Sequence, residues 1–106
     1  MKNKIIENIL IEERERLLGR LKVIEDRLKS LPSGWIREIK KEDKTYKYLY
    51  KSKREGKKVK SIFIGKVDEN LEKQINERKR LIAEKKRLKE RIKELDKLLR
   101  ISNERN

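Results

Sequence analysis

The apolar residues Leu10, Leu17, Leu21, Ile24, Leu28 and Leu31 follow one another at intervals of 7, 4, 3, 4 and 3 positions. That is the a/d seam of a coiled coil, so the spacing predicts a helix over residues 4–31 with one narrow apolar stripe. The segment Leu31-Pro32-Ser33-Gly34 stops it, because proline disfavours helical geometry at the residue before it and glycine frees the turn that follows. A second helix is predicted over residues 68–102, with Asp68 as N-cap and Glu69 and Glu72 complementing the positive end of the helix dipole. Its seam reads Leu71, Ile75, Arg78, Ile82, Lys85, Leu88, Ile92, Leu95 and Leu99. At Arg78 and Lys85 the methylene stems can lie along a partner helix while the charges stay in water. The expected helix interface is therefore Leu17, Leu21, Ile24 and Leu28 against Leu88, Ile92, Leu95 and Leu99. Two seams alone make a thin core, so a second copy is expected to join as a homodimer through the helices.

Between the helices the period changes from helical to twofold. Strands are predicted over residues 35–40, 45–51 and 59–67, broken at Lys41-Glu42-Asp43-Lys44 and at Arg54-Glu55-Gly56-Lys57. Tyr46, Tyr48 and Tyr50 alternate with Lys47, Leu49 and Lys51, which puts three rings on one face and mostly cations on the other. Pairing Tyr48 with Ile64 and Tyr50 with Ile62 separates apolar from charged side chains best. In that register the Tyr/Ile face packs on the helices and Lys47, Lys51, Ser61 and Phe63 point outward. The fold class that follows is α+β: a long antiparallel, coiled-coil-like helical hairpin with a three-stranded antiparallel β-meander inserted between the helices. It is read as a single domain over residues 1–106 (helix 4–31, meander 34–67, helix 68–102).

Composition then narrows the chemistry. The 106 residues include neither cysteine nor histidine, which excludes zinc fingers, disulfides, thiolate catalysis and Ser-His-Asp arrangements. No acidic pair is set up for acid–base work, since Glu42 and Asp43 fall in a turn and Glu12 and Glu13 on a helix. The expectation is a non-catalytic protein with no cofactor and no metal. The longest aliphatic or aromatic runs, Ile9 to Ile11 and Ile62 to Ile64, are three residues long, so neither a membrane span nor a secretory signal is expected and the cytoplasm is the expected location.

The formal charge of +14 is unevenly placed. Residues 1–33 carry 8 basic and 6 acidic side chains, residues 34–67 carry 12 and 4, and residues 68–106 carry 13 and 9. Charges in the outer segments can largely compensate locally, whereas 12 bases cannot pair with 4 acids. An anionic partner is expected at the meander, and nucleic acid fits best: each neutralised phosphate releases counterions, and a β-ribbon can enter the major groove. The candidate contacts are Arg37, Lys40, Lys47, Lys51, Lys53, Arg54, Lys57, Lys58 and Lys60, with DNA preferred over structured RNA. In the competing structural reading a lysine-rich sheet only blocks edge-to-edge aggregation, the tyrosines are core, and Trp35 is a core anchor. The alternative function is a coiled-coil protein-interaction module, a dimeriser, adaptor or inhibitor of a protein partner from a mobile element.

The stretches Leu31-Pro32-Ser33-Gly34-Trp35-Ile36, Tyr46-Lys47-Tyr48-Leu49-Tyr50 and Arg54-Glu55-Gly56-Lys57-Lys58-Val59-Lys60-Ser61-Ile62-Phe63-Ile64-Gly65-Lys66 resemble a small family found in archaea, bacteria and their plasmids. Its members share an LPxG lead-in, a tyrosine-rich strand, a glycine-lysine turn and a "YIGK"-like strand before a long helix. Here Phe63 stands for the usual tyrosine and Glu55-Gly56-Lys57 for the more usual double glycine. The resemblance covers about residues 31–75 and implies no particular activity. The strand pattern is also similar to the three-stranded arm-binding domains of tyrosine recombinases, which grip DNA through a sheet. That similarity implies Arg37, Lys47, Lys51 and Lys60 as contacts, although the chain has no catalytic recombinase region.

Overall fold

The computed structural model describes residues 4–104. Helix α1 spans Lys4–Ser30, strands β1, β2 and β3 span Trp35–Lys41, Lys44–Glu55 and Lys58–Lys66, and helix α2 spans Glu69–Glu104. The sheet is an antiparallel meander in the order β1-β2-β3. The α+β class and the meander between two long helices are as the sequence predicts. The chain divides into two compact units: α1 with the part of α2 from Leu81 onward, and the segment Leu31–Arg80, which holds the sheet and the start of α2.

In the first unit the helices run antiparallel, as the pairs Arg14–Asp96 and Arg20–Glu84 require. Leu17, Ile92 and Leu95 form its buried centre, with Leu10, Leu21 and Leu88 packed against them. Ile24 is fully buried, while Leu28 and Leu99 are half-buried. All eight predicted interface positions are therefore at least partly covered within one chain. In the predicted seam of α2, Ile82 is 47% exposed and its neighbour Leu81 is half-buried. Either fits a 3.6-residue repeat after Arg78, and the smaller step of three turns Leu81 inward. Lys85 is half-buried with Nζ 3.9 Å from Glu25 Oε1, its stem on the helix and its head at the edge. Ion pairs flank the seam. Arg20 donates through Nε and Nη2 to both oxygens of Glu84 at 2.7 and 3.0 Å, a bidentate geometry that holds the Glu84 carboxyl below and the Arg20 guanidinium above their ordinary values.

In the second unit Leu31, Leu49 and Ile75 are buried. Gly34 has φ +125°, and a Cβ there would lie 2.5 Å from the Tyr50 carbonyl oxygen, so the chain leaving Pro32 can pass close to β2 only as glycine. The β1–β2 turn is the two-residue loop Glu42-Asp43, with φ +46° and +65°. Two positive φ values are what a type I′ hairpin needs to match strand twist. The β2–β3 turn is Gly56-Lys57, in which Gly56 alone has positive φ, at +60°. Asp68 caps α2: its Oδ1 accepts from the Leu71 amide at 2.7 Å, and its carbonyl accepts from Glu72 N at 3.0 Å.

β2 is longer than predicted, running to Glu55 and not ending at Lys51. Ser52-Lys53-Arg54 is polar on both faces, which reads as loop by alternation alone. A Gly-X pair with ladder partners Glu55 and Lys58 on either side carries both strands straight into the turn.

Candidate nucleic-acid interface

The register assigns the side chains to faces. Trp35, Tyr50 and Phe63 pair in one line across the three strands, Arg37, Tyr48 and Lys66 in the next, and Ile39 with Tyr46 in the third. All of these share one face of the sheet. The opposite face carries Ile36, Leu49 and Gly65 in one line, Glu38 and Lys47 in another, and Lys51 with Ile62.

Two expectations are corrected here. Tyr48 pairs with Lys66 and not Ile64, and Tyr50 pairs with Phe63 and not Ile62. Between Leu49 and Tyr50 the partner steps from Gly65 to Phe63, leaving Ile64 as an unpaired extra residue, a β-bulge beside a glycine. The turn register places Phe63 on the tyrosine side, and the bulge adds Lys66 to it. The second correction concerns which face is covered. Leu49 is 3% exposed, and Lys47 Nζ donates to Glu72 Oε1 at 2.6 Å, so the Lys47/Leu49 face meets the start of α2. Burying that face sinks one leucine and matches its lysine with a carboxylate. Burying the other face would desolvate three phenol hydroxyls that each need a partner.

Lys47 is therefore not an outward contact. The pKa of its ammonium is raised above the ordinary lysine value chiefly by the hydrogen bond it donates to Glu72, with Glu38 Oε1 3.7 Å away adding to it. Lys51 lies on the same face and is half-buried. The remaining predicted contacts divide between the two faces: Arg37 and Arg54 on the tyrosine side, Lys40, Lys53, Lys58 and Lys60 on the other, and Lys57 in the turn. One cationic face is thus not formed.

What is formed instead is a projecting ribbon. β1 pairs with β2 only from Lys44 to Tyr50, so beyond Tyr50 strands β2 and β3 continue as two strands alone. From Ser52 to Ile64 every residue is exposed. The ribbon and its turn hold Lys51, Lys53, Arg54, Lys57, Lys58 and Lys60 against one acid, Glu55, which pairs with Lys60 at 3.2 Å. Among the described residues no acid pairs with Arg37, Lys40, Lys51, Lys53, Arg54, Lys57 or Lys58.

The tyrosine face is the part that the sequence reading misassigned. Trp35 and Tyr50 are nearly parallel with centroids 6.1 Å apart, as are Tyr46 and Tyr48 at 6.5 Å. Phe63 meets Tyr48 and Tyr50 at 5.6 and 5.7 Å with steeply tilted rings. Lys66 Nζ sits 5.9 Å from the centre of Tyr46. The four other rings are half-buried and Phe63 is 57% exposed. Half-burial of the tyrosines signals rings packing on one another, not an interior. The sequence signal for the row is the pair of two-residue turns, since counting back from Glu42-Asp43 sets Trp35, and from Gly56-Lys57 sets Phe63, opposite Tyr50.

No group of Asp and Glu suited to hold a metal occurs among the described residues, and no described helix is long and apolar enough to cross a membrane. No family model, no curated protein and no solved structure matches this chain.

Proposed function

We propose that the chain is a non-catalytic nucleic-acid-binding protein that grips phosphates through the β2–β3 ribbon. The observation that carries this reading is the projecting, unpaired cationic surface of Lys53, Arg54, Lys57 and Lys58. Division of its charges between two faces, which would weaken a flat binding sheet, suits a ribbon: inserted in a groove about 12 Å wide, its two faces look toward the two phosphate walls. DNA is the preferred ligand on that ground, because the deep, narrow major groove of A-form RNA does not admit such an element. Of the bases of the ribbon Lys60 alone has a local acid, Glu55, so counterion release on phosphate binding is the main driving force.

The test is a titration of duplex DNA into the wild-type chain and into a variant with Lys53, Arg54, Lys57 and Lys58 all changed to Gln. With four phosphate contacts removed, the slope of log affinity against log salt is expected to fall by roughly 3 to 4. An equal slope in both proteins rejects the reading.

A second reading, a protein-interaction module built on the helices, is supported by apolar side chains left outside the seam, such as Ile9 at 58% and Val23 at 57% exposure. It predicts that the variant with Lys53, Arg54, Lys57 and Lys58 changed to Gln keeps its biological activity in full.

A further inference from the structure

The tyrosine face of the sheet has features that phosphate gripping does not use. Five rings from three strands, Trp35, Tyr46, Tyr48, Tyr50 and Phe63, form one continuous aromatic row, each within 6.5 Å of a neighbour by ring centroid. Tyr46 and Tyr48 repeat every second residue along one strand, about 6.7 Å apart by strand geometry. The row is rimmed by charge in register: Arg37 on one side of Tyr48 and Lys66 on the other. It is continuous with the ribbon, since Tyr50 and Phe63 are the last three-stranded line before β2 and β3 go on alone.

We infer that this face takes unpaired bases, so that the ligand is a nucleic acid with a single-stranded stretch stacked on Trp35, Tyr48, Tyr50 and Phe63 while Arg37 and Lys66 hold its backbone. The inference rests on the nucleic-acid reading above and adds to the phosphate grip of the ribbon a single-stranded stretch on the adjoining face. A duplex hides its base faces inside the stack and offers aromatic side chains nothing but edges and sugars. Sheets that display two or three aromatic side chains from adjacent strands bind splayed-out bases instead, and cations beside the rings track the phosphates. Charge complementarity selects this occupant over the other ligands that aromatic surfaces take. A sugar or a proline-rich peptide would use the rings but leave Arg37 and Lys66 without a counterpart, in a segment already carrying 12 bases against 4 acids.

The chain contains one tryptophan, and it lies in the row, so its fluorescence reports on stacking directly. Oligo-dT, a duplex of equal length, inorganic polyphosphate and, as an uncharged control, a proline-rich peptide are titrated at matched salt into wild type, Phe63→Ala and Phe63→Tyr. Phe63 is the appropriate position because its exposure leaves little packing to lose; equal circular dichroism of the three proteins checks this. The expected result is that oligo-dT alone quenches Trp35 strongly and binds more tightly than the duplex. Phe63→Ala should weaken oligo-dT by roughly 5- to 100-fold, in keeping with the loss of one stacked base, with polyphosphate unaffected and Phe63→Tyr restoring affinity. If all three polyanions bind alike, without quenching and without any effect of Phe63→Ala, the inference is overturned while phosphate gripping stands. If none of the three binds, the nucleic-acid reading itself falls, and the inference with it. Quenching by a proline-rich peptide in place of oligo-dT also overturns the inference.

Discussion

Lys47 on β2 donates to Glu72 in the first turn of α2 at 2.6 Å, so a lysine from the most basic stretch of the chain serves as a fastener between strand and helix. Two lysines of that stretch should therefore behave in opposite ways. Lys47→Gln is expected to lower the unfolding midpoint while leaving the salt dependence of nucleic-acid binding unchanged. Lys57→Gln, in the exposed turn, should leave the midpoint unchanged and reduce the salt slope by about 0.9 for a duplex. Denaturant melts and salt titrations on the two variants make the comparison. The pH dependence has a definite sign. Because the folded-state value of Lys47 is raised, its contribution to stability is complete below the ordinary lysine range and disappears as the pH climbs through the raised value.

Gly34 gives the sharpest backbone prediction. Alanine there would combine a left-handed φ of +125° with a Cβ 2.5 Å from the Tyr50 carbonyl and 3.0 Å from Leu49 Cδ1. The carbonyl is main chain and cannot swing aside, so relief requires moving β2 or the Pro32-Gly34 lead-in. Gly34→Ala is expected to destabilise the sheet unit by about 1 to 3 kcal/mol or more, whereas Gly56→Ala, with no atom within 4 Å, carries only the cost of its φ of +60°. Thermal melts of the two variants would test the order.

Most of the local signals were readable from the chain, the end of β2 and the inward turn of Leu81 excepted. The heptad spacing, the Pro32-Gly34 stop, the Asp68 cap and the Glu42-Asp43 turn each depend on residues within a few positions of one another. What could not be read was the strand register, and with it the site. The Gly56-Lys57 turn sets Phe63 opposite Tyr50, and the bulge at Ile64 then sets Lys66 and not Gly65 opposite Tyr48; period 2 says which residues share a face but not which face is covered. That second choice is made by Leu49 and by the carboxylate of Glu72, 25 residues beyond Lys47 in sequence. The apolar appearance of three tyrosines in a row suggested a core, yet their hydroxyls make them better suited to a half-wet surface.

Acid is expected to loosen the helical unit. Arg20 and Glu84 connect the two helices by a bidentate pair, and hydrogen bonding from Arg20 holds the Glu84 carboxyl below the ordinary carboxylate value. A depressed carboxyl contributes fully above its unfolded value and loses that contribution as the pH falls through the folded one. Glu13, depressed by its hydrogen bond from Arg16 on the same helix, adds a local term of the same sign. Helix melting should therefore fall between pH 6 and pH 3 in wild type, by the ordinary carboxylate range of about 4. Glu84→Gln should start lower at pH 6 and lose less on acidification. Parallel curves for the two proteins would remove the pair from the explanation.

The seam leucines and the exposed apolar residues of α1 should separate folding from assembly. Leu17 is 3% exposed and packs on Ile92 and Leu95 inside one chain, so Leu17→Ala should cost about 2 to 5 kcal/mol of stability whatever the oligomeric state. A homodimer through the helices, the second-copy arrangement proposed from the thin core, cannot use that same surface. It would have to bury residues such as Ile9 and Val23, which lie two heptads apart on one side of α1, with Ile9 beside a shallow groove formed with Arg91 and Leu95. Ile9→Asp with Val23→Asp is then expected to halve the mass seen by light scattering while leaving helix content intact. A single-chain mass for the wild type over the accessible concentration range would place these side chains in water and remove the homodimer.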